Sequence, residues 1–241
     1  MKYELQYKRY AEKAILVEWP SEIDENILQD LLFYKKSIEI FYDKLIVEVI
    51  SSYNSLLICY VSTIEDVYDK ILELKSMYNK DFQHVGLKNR LWKIPVCYTT
   101  TLAKDLEVFA KSKSLTIDEI ISLHTASLYK VYFIGFLPGF FYLGGLDERL
   151  HLPRKLTPSL SVKKGSVAIG GNQTGVYPMD SPGGWHVIGM CPLDLFDPKS
   201  ENFCFVRPGD KIQFMSISEK EYNDIGSLVF NGDYIPQSAL L

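Results

Sequence analysis

Cysteine is scarce, with four in 241 residues. Cys59, Cys97, Cys191 and Cys204 show no C-x-x-C spacing and have no histidine near them, which argues against a zinc site and a dithiol redox motif. They read as reduced, buried thiols of a cytoplasmic protein. The four histidines are far apart in sequence and H-E-x-x-H is missing, so no metal site is expected. No two glycines stand at G-x-G spacing, no G-x-x-x-x-G-K-[ST] run occurs, and G-x-S-x-G is absent. The self-contained dinucleotide, phosphate-loop and serine-hydrolase signatures are therefore missing. An ATP-using enzyme is still allowed, but a complete ATP site on this chain alone is not expected. With a net charge of −4 and no basic stripe, the chain has no footprint for nucleic acid. Apolar runs such as Ser55–Val61 are strand-length, too short to cross a bilayer. The opening MKYELQYKRY lacks the apolar stretch of a signal peptide. The expectation is a cytoplasmic protein without membrane contact.

What is present is ordinary core material, 47% hydrophobic residues against 23% charged. Punctuation divides the chain. Up to about Lys88 the only proline is Pro20, whereas Val131–Gly209 is dense in glycine and proline. In the first part, Ala14–Trp19 reads as a strand and Asp24–Lys36 as an amphipathic helix with Ser21 or Asp24 as its cap. Leu45–Ile50 and Leu56–Val61 read as strands, and Thr63–Lys75 as a second helix opening on a Ser/Thr cap. That β-α-β-β-α order is close to a ferredoxin-like sandwich. The polar stretch Asn79–Arg90 reads as a linker. Beyond it, Leu102–Lys111 and Ile117–Leu128 are helical, the latter with a Thr116/Glu119 capping box. Val131–Phe136, Ser166–Ile169, His186–Met190 and Lys211–Phe214 read as strands separated by turn-forming clusters, the pattern of an antiparallel barrel or sandwich.

The block Phe133–Trp185 carries the chemistry. FIGFLPGFFYLGGL sets aromatics among glycines and prolines, which fits a stacking floor or simply a barrel core. GGNQTGVYPMDSPGGW surrounds amides, hydroxyls and one carboxylate with glycine, which suits a small polar ligand or two self-satisfied hairpin loops. Arg154, in HLPRKLTP, suits a carboxylate clamp because guanidinium binds carboxylate through two parallel bonds; a solvated loop arginine is the alternative. His124 suits an acid/base role, and a histidine at a helix C-terminus is equally explained by the helix dipole. Lys163 and Lys164 read as turn residues, Asp147–Arg149 as a surface turn, and His84, His151 and His186 have no constellation.

The runs HTASLYKVYFIGFLPGFFYLGGLDERLHLPRKLTP, VKKGSVAIGGNQTGVYPMDSPGGWHVIG, LFDP and RPGDKIQF resemble the family of the Kip-type kinase inhibitor and allophanate hydrolase subunit 1, which includes the B subunit of 5-oxoprolinase. The likeness runs from about Leu91 to Phe214, with Phe141 where proline is expected and Asp180 where many relatives carry glutamate. It implies an α+β chain: a ferredoxin-like α/β sandwich over residues 1–88, then a cyclophilin-like antiparallel β-barrel over residues 89–241. It implies a 5-oxoprolinase that opens 5-oxo-L-proline to L-glutamate while cleaving ATP. The implied partners in that complex are a LamB/YcsF-type protein and a protein like allophanate hydrolase subunit 2. The resemblance places His124 and Asp180 as candidate proton-handling residues. Tyr142, Arg154, Gln173, Thr174, Tyr177, Ser181 and Trp185 are placed as candidate substrate contacts, and together with His124 and Asp180 they are expected to line a groove on the barrel. Docking onto a sensor histidine kinase is the rival reading, with Phe140, Phe141, Tyr142 and Trp185 as protein anchors. A urea carboxylase module ranks third, since the chain carries no carboxylase segment.

Overall fold

The computed structural model describes residues 3–79, 89–200 and 203–241. The chain divides into two compact units, Met1–Leu87 and Lys88–Leu241. Most of the expected linker, and His84 with it, lies outside the described residues.

The first unit runs β1 (Gln6–Ala11), β2 (Ala14–Glu18), α1 (Glu25–Phe41), β3 (Ile46–Ser51), β4 (Ser55–Tyr60) and α2 (Val67–Asn79). Its sheet is antiparallel throughout, in the order β1-β2-β4-β3. A ferredoxin-like sandwich places its fourth strand, the one after the second helix, beside the first. Here that place is taken by β1 from the front of the chain. The sequence reading missed β1 because QYKRYA is almost wholly exposed and offers no apolar face to read. Asp24 caps α1 by accepting the Asn26 and Ile27 backbone N–H groups, and Ile27, Leu28, Leu31 and Ile38 are buried. Helix α2 begins four residues later than expected, with the Asp66 carboxylate accepting the Asp69 N–H.

The second unit continues with β5 (Arg90–Cys97), α3 (Leu106–Lys113), α4 (Ile117–Ala126), β6 (Tyr129–Ile134), β7 (Phe141–Gly144), β8 (Ser159–Val162), β9 (Ser166–Gly170) and β10 (Gln173–Val176). It ends with β11 (Ser181–Gly183), β12 (His186–Met190), β13 (Lys211–Ile217), α5 (Glu219–Asn231) and β14 (Ser238–Leu240). The large sheet has the order β12-β9-β10-β7-β6-β13-β5-β14. A further pairing of β12 with β5 closes seven of these strands into a barrel. The expectation of an antiparallel barrel needs one correction. β13 runs parallel to β5, from Lys211 opposite Leu91 to Ile217 opposite Cys97. Parallel neighbours need a long crossover, and here the chain between the pair builds the rest of the barrel. Helix α3 starts at Leu106 rather than Leu102, and α4 has the expected Thr116–Glu119 capping box. β8 and β11 form a separate two-stranded arm.

Cys97 and Cys191 are buried free thiols, while Cys59 and Cys204 are half-buried. Among the described residues no helix is long and apolar enough to cross a membrane.

Candidate functional site

Strand alternation sorts the motif residues of β7 and β10 onto two faces. Neighbouring side chains on a strand point to opposite sides of the sheet. On β7, Phe141 and Leu143 are fully buried while Tyr142 is half-buried. On β10, Thr174 and Val176 are buried together, and Gln173 shares the other face with Gly175.

Inside the barrel, α4 delivers His124, which is wholly buried. Its Nε2 lies 2.9 Å from the Thr174 hydroxyl and its Nδ1 lies 2.7 Å from the Tyr98 hydroxyl. Thr174 donates to the Ala168 carbonyl at 3.2 Å, so its oxygen accepts from Nε2–H and Nδ1 accepts from Tyr98. The ring stacks on Phe214 with 4.6 Å between centroids, and the His124 carbonyl accepts the Tyr129 hydroxyl at 2.8 Å. Burial, with no charged partner to offset it, pulls the imidazole pKa down to about 3. His124 is thus a neutral histidine in a closed polar chain through the core. His124 and Thr174 do not line a groove on the barrel surface, which corrects that expectation for both.

The other face gathers Tyr142, Tyr177, Trp185 and Arg154 around Phe140. Phe140 meets Tyr142, Tyr177 and Trp185 with centroid separations of 5.2, 5.4 and 5.5 Å. Tyr142 stacks flat on Phe133 at 4.2 Å. The Arg154 guanidinium carbon lies 5.7 Å from the Trp185 ring centroid, a cation–π separation. Burial raises the pKa of both Tyr142 and Tyr177, and the positive charge of Arg154 opposes the rise in each. Both phenols are neutral at physiological pH. Arg154 itself is exposed, and among the described residues no carboxylate pairs with it. Phe140, Tyr177 and Trp185 are themselves buried, which corrects the groove expectation for Tyr177 and Trp185 as well, so what the cluster presents outward is the Arg154 fork beside half-buried Tyr142, the chemistry that holds a carboxylate.

Two glycines permit this packing. A Cβ on Gly170 would overlap the Trp185 ring, and one on Gly183 would overlap the Tyr177 hydroxyl. Gly170→Ala is therefore expected to lower stability by about 1–3 kcal/mol through overpacking and to displace Trp185 from Arg154. Thermal melting together with the near-ultraviolet circular dichroism of the aromatic cluster checks both effects.

Asp180 and Ser181 stand apart from this cluster. Asp180 accepts the Lys163 ammonium and the Lys164 backbone N–H, each at 2.8 Å, and these bonds, Lys163 foremost, lower its pKa. It pins one loop to another, and its carboxylate is occupied. Ser181 opens β11 opposite Val162, its hydroxyl 3.2 Å from the Pro182 carbonyl.

The sequence reading left several contributors outside the site. Phe133 forms the floor under Tyr142. Phe136, 64% exposed, sits edge-on to Phe140 at positive φ (65°) in the turn where Leu137 N–H bonds to Gly135 carbonyl. His186, for which the sequence shows no constellation, meets the Pro153 carbonyl through Nε2 at 2.9 Å, next to Arg154. The aromatics set among glycine and proline in FIGFLPGFFYLGGL were the available signal for Phe133 and Phe136; His186 had none.

Residues 5–206 match the model of the carboxyltransferase domain, subdomain C and D. The 5-oxoprolinase B subunit of Bacillus subtilis is 43% identical over 158 residues, which is 66% of this chain and 63% of that protein. The chain thus spans a little under two thirds of that relative. The 5-oxoprolinase B subunit of Haemophilus influenzae is 35% identical over 85% of this chain and 94% of its own length. Among solved structures, TTHA0988 superimposes with a TM-score of 0.76 at 28% identity, covering 86% of this chain and 40% of its own. The domain match and these two relatives point the same way: the chain belongs to the carboxyltransferase subdomain C and D family, and within it to the 5-oxoprolinase B-subunit proteins.

Proposed function

We propose that this chain works as the B subunit of an ATP-dependent 5-oxoprolinase, in which the outer-face cluster around Arg154 binds the substrate. The reaction opens a cyclic amide with water to give L-glutamate, and a second water is consumed as ATP is cleaved to ADP and phosphate. The observation that carries the reading is the Arg154 guanidinium, exposed over the Trp185 ring and without a carboxylate partner among the described residues. 5-Oxoproline is a five-membered planar lactam bearing one carboxylate. Its carboxylate fits the guanidinium fork, and its amide fits the polar ends of half-buried Tyr142 and Gln173, over a floor made by buried Phe140, Tyr177 and Trp185.

His124 is assigned a positioning role. Its bond to Thr174 fixes β10, whose alternate residues Gln173 and Gly175 face the cluster. Asp180 and Ser181 hold the loop that leads to Trp185. ATP is the second substrate of the assembled complex. The proposed partners are a LamB/YcsF-type protein and a protein like allophanate hydrolase subunit 2, in the cytoplasm.

The test is 5-oxoproline-dependent phosphate release by this chain alone and by its mixture with those two partners. Release by the mixture only is expected. No release from a mixture shown to assemble would sink the proposal. That outcome would favour docking to a histidine kinase, though not through Phe140, Phe141 or Trp185, which are buried; exposed Phe136, Leu156 and Leu160 would supply the apolar anchors instead. An autophosphorylation assay would then decide.

A further inference from the structure

Asp105 breaks a local rule. It occupies the N-cap of α3, where aspartate ordinarily accepts the first free backbone N–H groups of its own helix. Its side chain makes no such bond. Oδ2 instead accepts the Lys155 ammonium at 2.6 Å and the Val187 backbone N–H at 2.8 Å. The Asp105 backbone N–H also donates to the Val187 carbonyl at 3.2 Å. Departures of this kind, where a residue forgoes its local interaction, concentrate at functional sites.

The two groups Asp105 holds belong to the two segments that form the cluster. Lys155 follows Arg154, and Val187 stands two residues after Trp185. The segments are stitched to each other as well. Lys155 N–H donates to the Gly184 carbonyl at 2.7 Å, and His186 Nε2 bonds the Pro153 carbonyl at 2.9 Å. Between these stitches lie Arg154 and Trp185. The ion pair is largely shielded, with side-chain exposures of 18% for Lys155 and 17% for Asp105, so water and salt screen it weakly. Without the carboxylate, the Lys155 ammonium would sit uncompensated one residue from the guanidinium.

We infer that Asp105, through Lys155 and the Val187 amide, is a positioning residue that sets the spacing between Arg154 and Trp185 for a carboxylate-bearing lactam. The inference rests on the reading of Arg154 as the carboxylate clamp. Two-point recognition by guanidinium is sensitive to small displacements, so a residue that fixes its backbone acts on substrate affinity without touching substrate.

The experiment compares wild type, Asp105→Asn, Asp105→Glu and Arg154→Ala in the assembled complex. Asparagine keeps the shape and an acceptor for Val187 while removing the charge that holds Lys155. Asp105→Asn is expected to raise KM for 5-oxoproline about tenfold with kcat little changed, the pattern of lost binding, and Asp105→Glu to restore part of it. 2-Pyrrolidone, the same lactam without the carboxylate, should inhibit Asp105→Asn and wild type equally. An unchanged KM in Asp105→Asn beside a raised KM in Arg154→Ala would overturn the inference and leave the clamp standing. Equal weakening of 5-oxoproline and 2-pyrrolidone would overturn it too, as the mark of a merely structural role. No effect of Arg154→Ala would remove the clamp and this inference together. Should Asp105→Asn fail to assemble, Lys155→Gln breaks the same ion pair and is read the same way.

Discussion

Arg154→Ala in the assembled enzyme is expected to raise KM for 5-oxoproline by about 10- to 150-fold, since hydrogen bonds to a charged group contribute roughly 1.5–3 kcal/mol and about 1.4 kcal/mol is tenfold. Turnover at saturating substrate should change far less, because the carboxylate is not itself a reacting group and binds alike before and during reaction. Arg154→Lys should fall between the two, since lysine keeps the charge but lacks the planar fork. The fold should tolerate both changes, because Arg154 is exposed and its only described neighbour of this kind is the Trp185 ring. Steady-state kinetics across substrate concentration checks the split, and an unchanged KM in Arg154→Ala would remove the clamp.

His124→Ala should act on stability instead. It removes a fully buried ring stacked on Phe214 and strips partners from the Tyr98 and Thr174 hydroxyls. A cavity plus a buried Tyr98 hydroxyl stripped of its described partner, with Thr174 keeping its bond to the Ala168 carbonyl, should cost about 3–5 kcal/mol, read by urea unfolding of the purified chain. The same residue sets an acid limit. The unfolded imidazole takes up its proton near the ordinary value of 6.5, while the folded one resists until about pH 3. The unfolded state therefore binds more protons throughout that window. Stability from this group is fully present above pH 6.5 and declines as pH falls toward 3, with a slope of up to about 1.4 kcal/mol per pH unit. A His124→Phe variant that folds should lose that component of the decline. Identical pH dependence in variant and wild type would show that His124 is not buried neutral.

Much of the fold was legible where local chemistry and tertiary packing agree. The Asp24 cap and the apolar stripe of α1 located that helix, and the Thr116–Glu119 box located the start of α4. Turn residues between short strands indicated a barrel. The parallel pairing of β5 with β13 was not legible, because it joins segments over a hundred residues apart and leaves no periodic trace. Strand β1 was missed because an exposed edge strand needs no apolar alternation.

The site was legible as a set of residues and illegible as a surface. The motif that contains Gln173, Thr174 and Tyr177 is contiguous in sequence, yet the pleat of β10 sends Thr174 inward to His124 and leaves Gln173 on the other face. The sequence could not say which of its side chains face outward and which close a core network. Asp105 was hidden for a related reason. Beside a helix start it resembles an ordinary cap, and only the structure shows its carboxylate turned toward Lys155 and Val187.

The most direct test of the outer-face site is hydrogen exchange on the assembled complex with and without 5-oxoproline. The account predicts slower exchange in the segments around Arg154, Gln173 and Tyr177–Trp185 when substrate is bound, and little change in α1 and α2. Substrate-dependent protection that bypasses these barrel segments would contradict it.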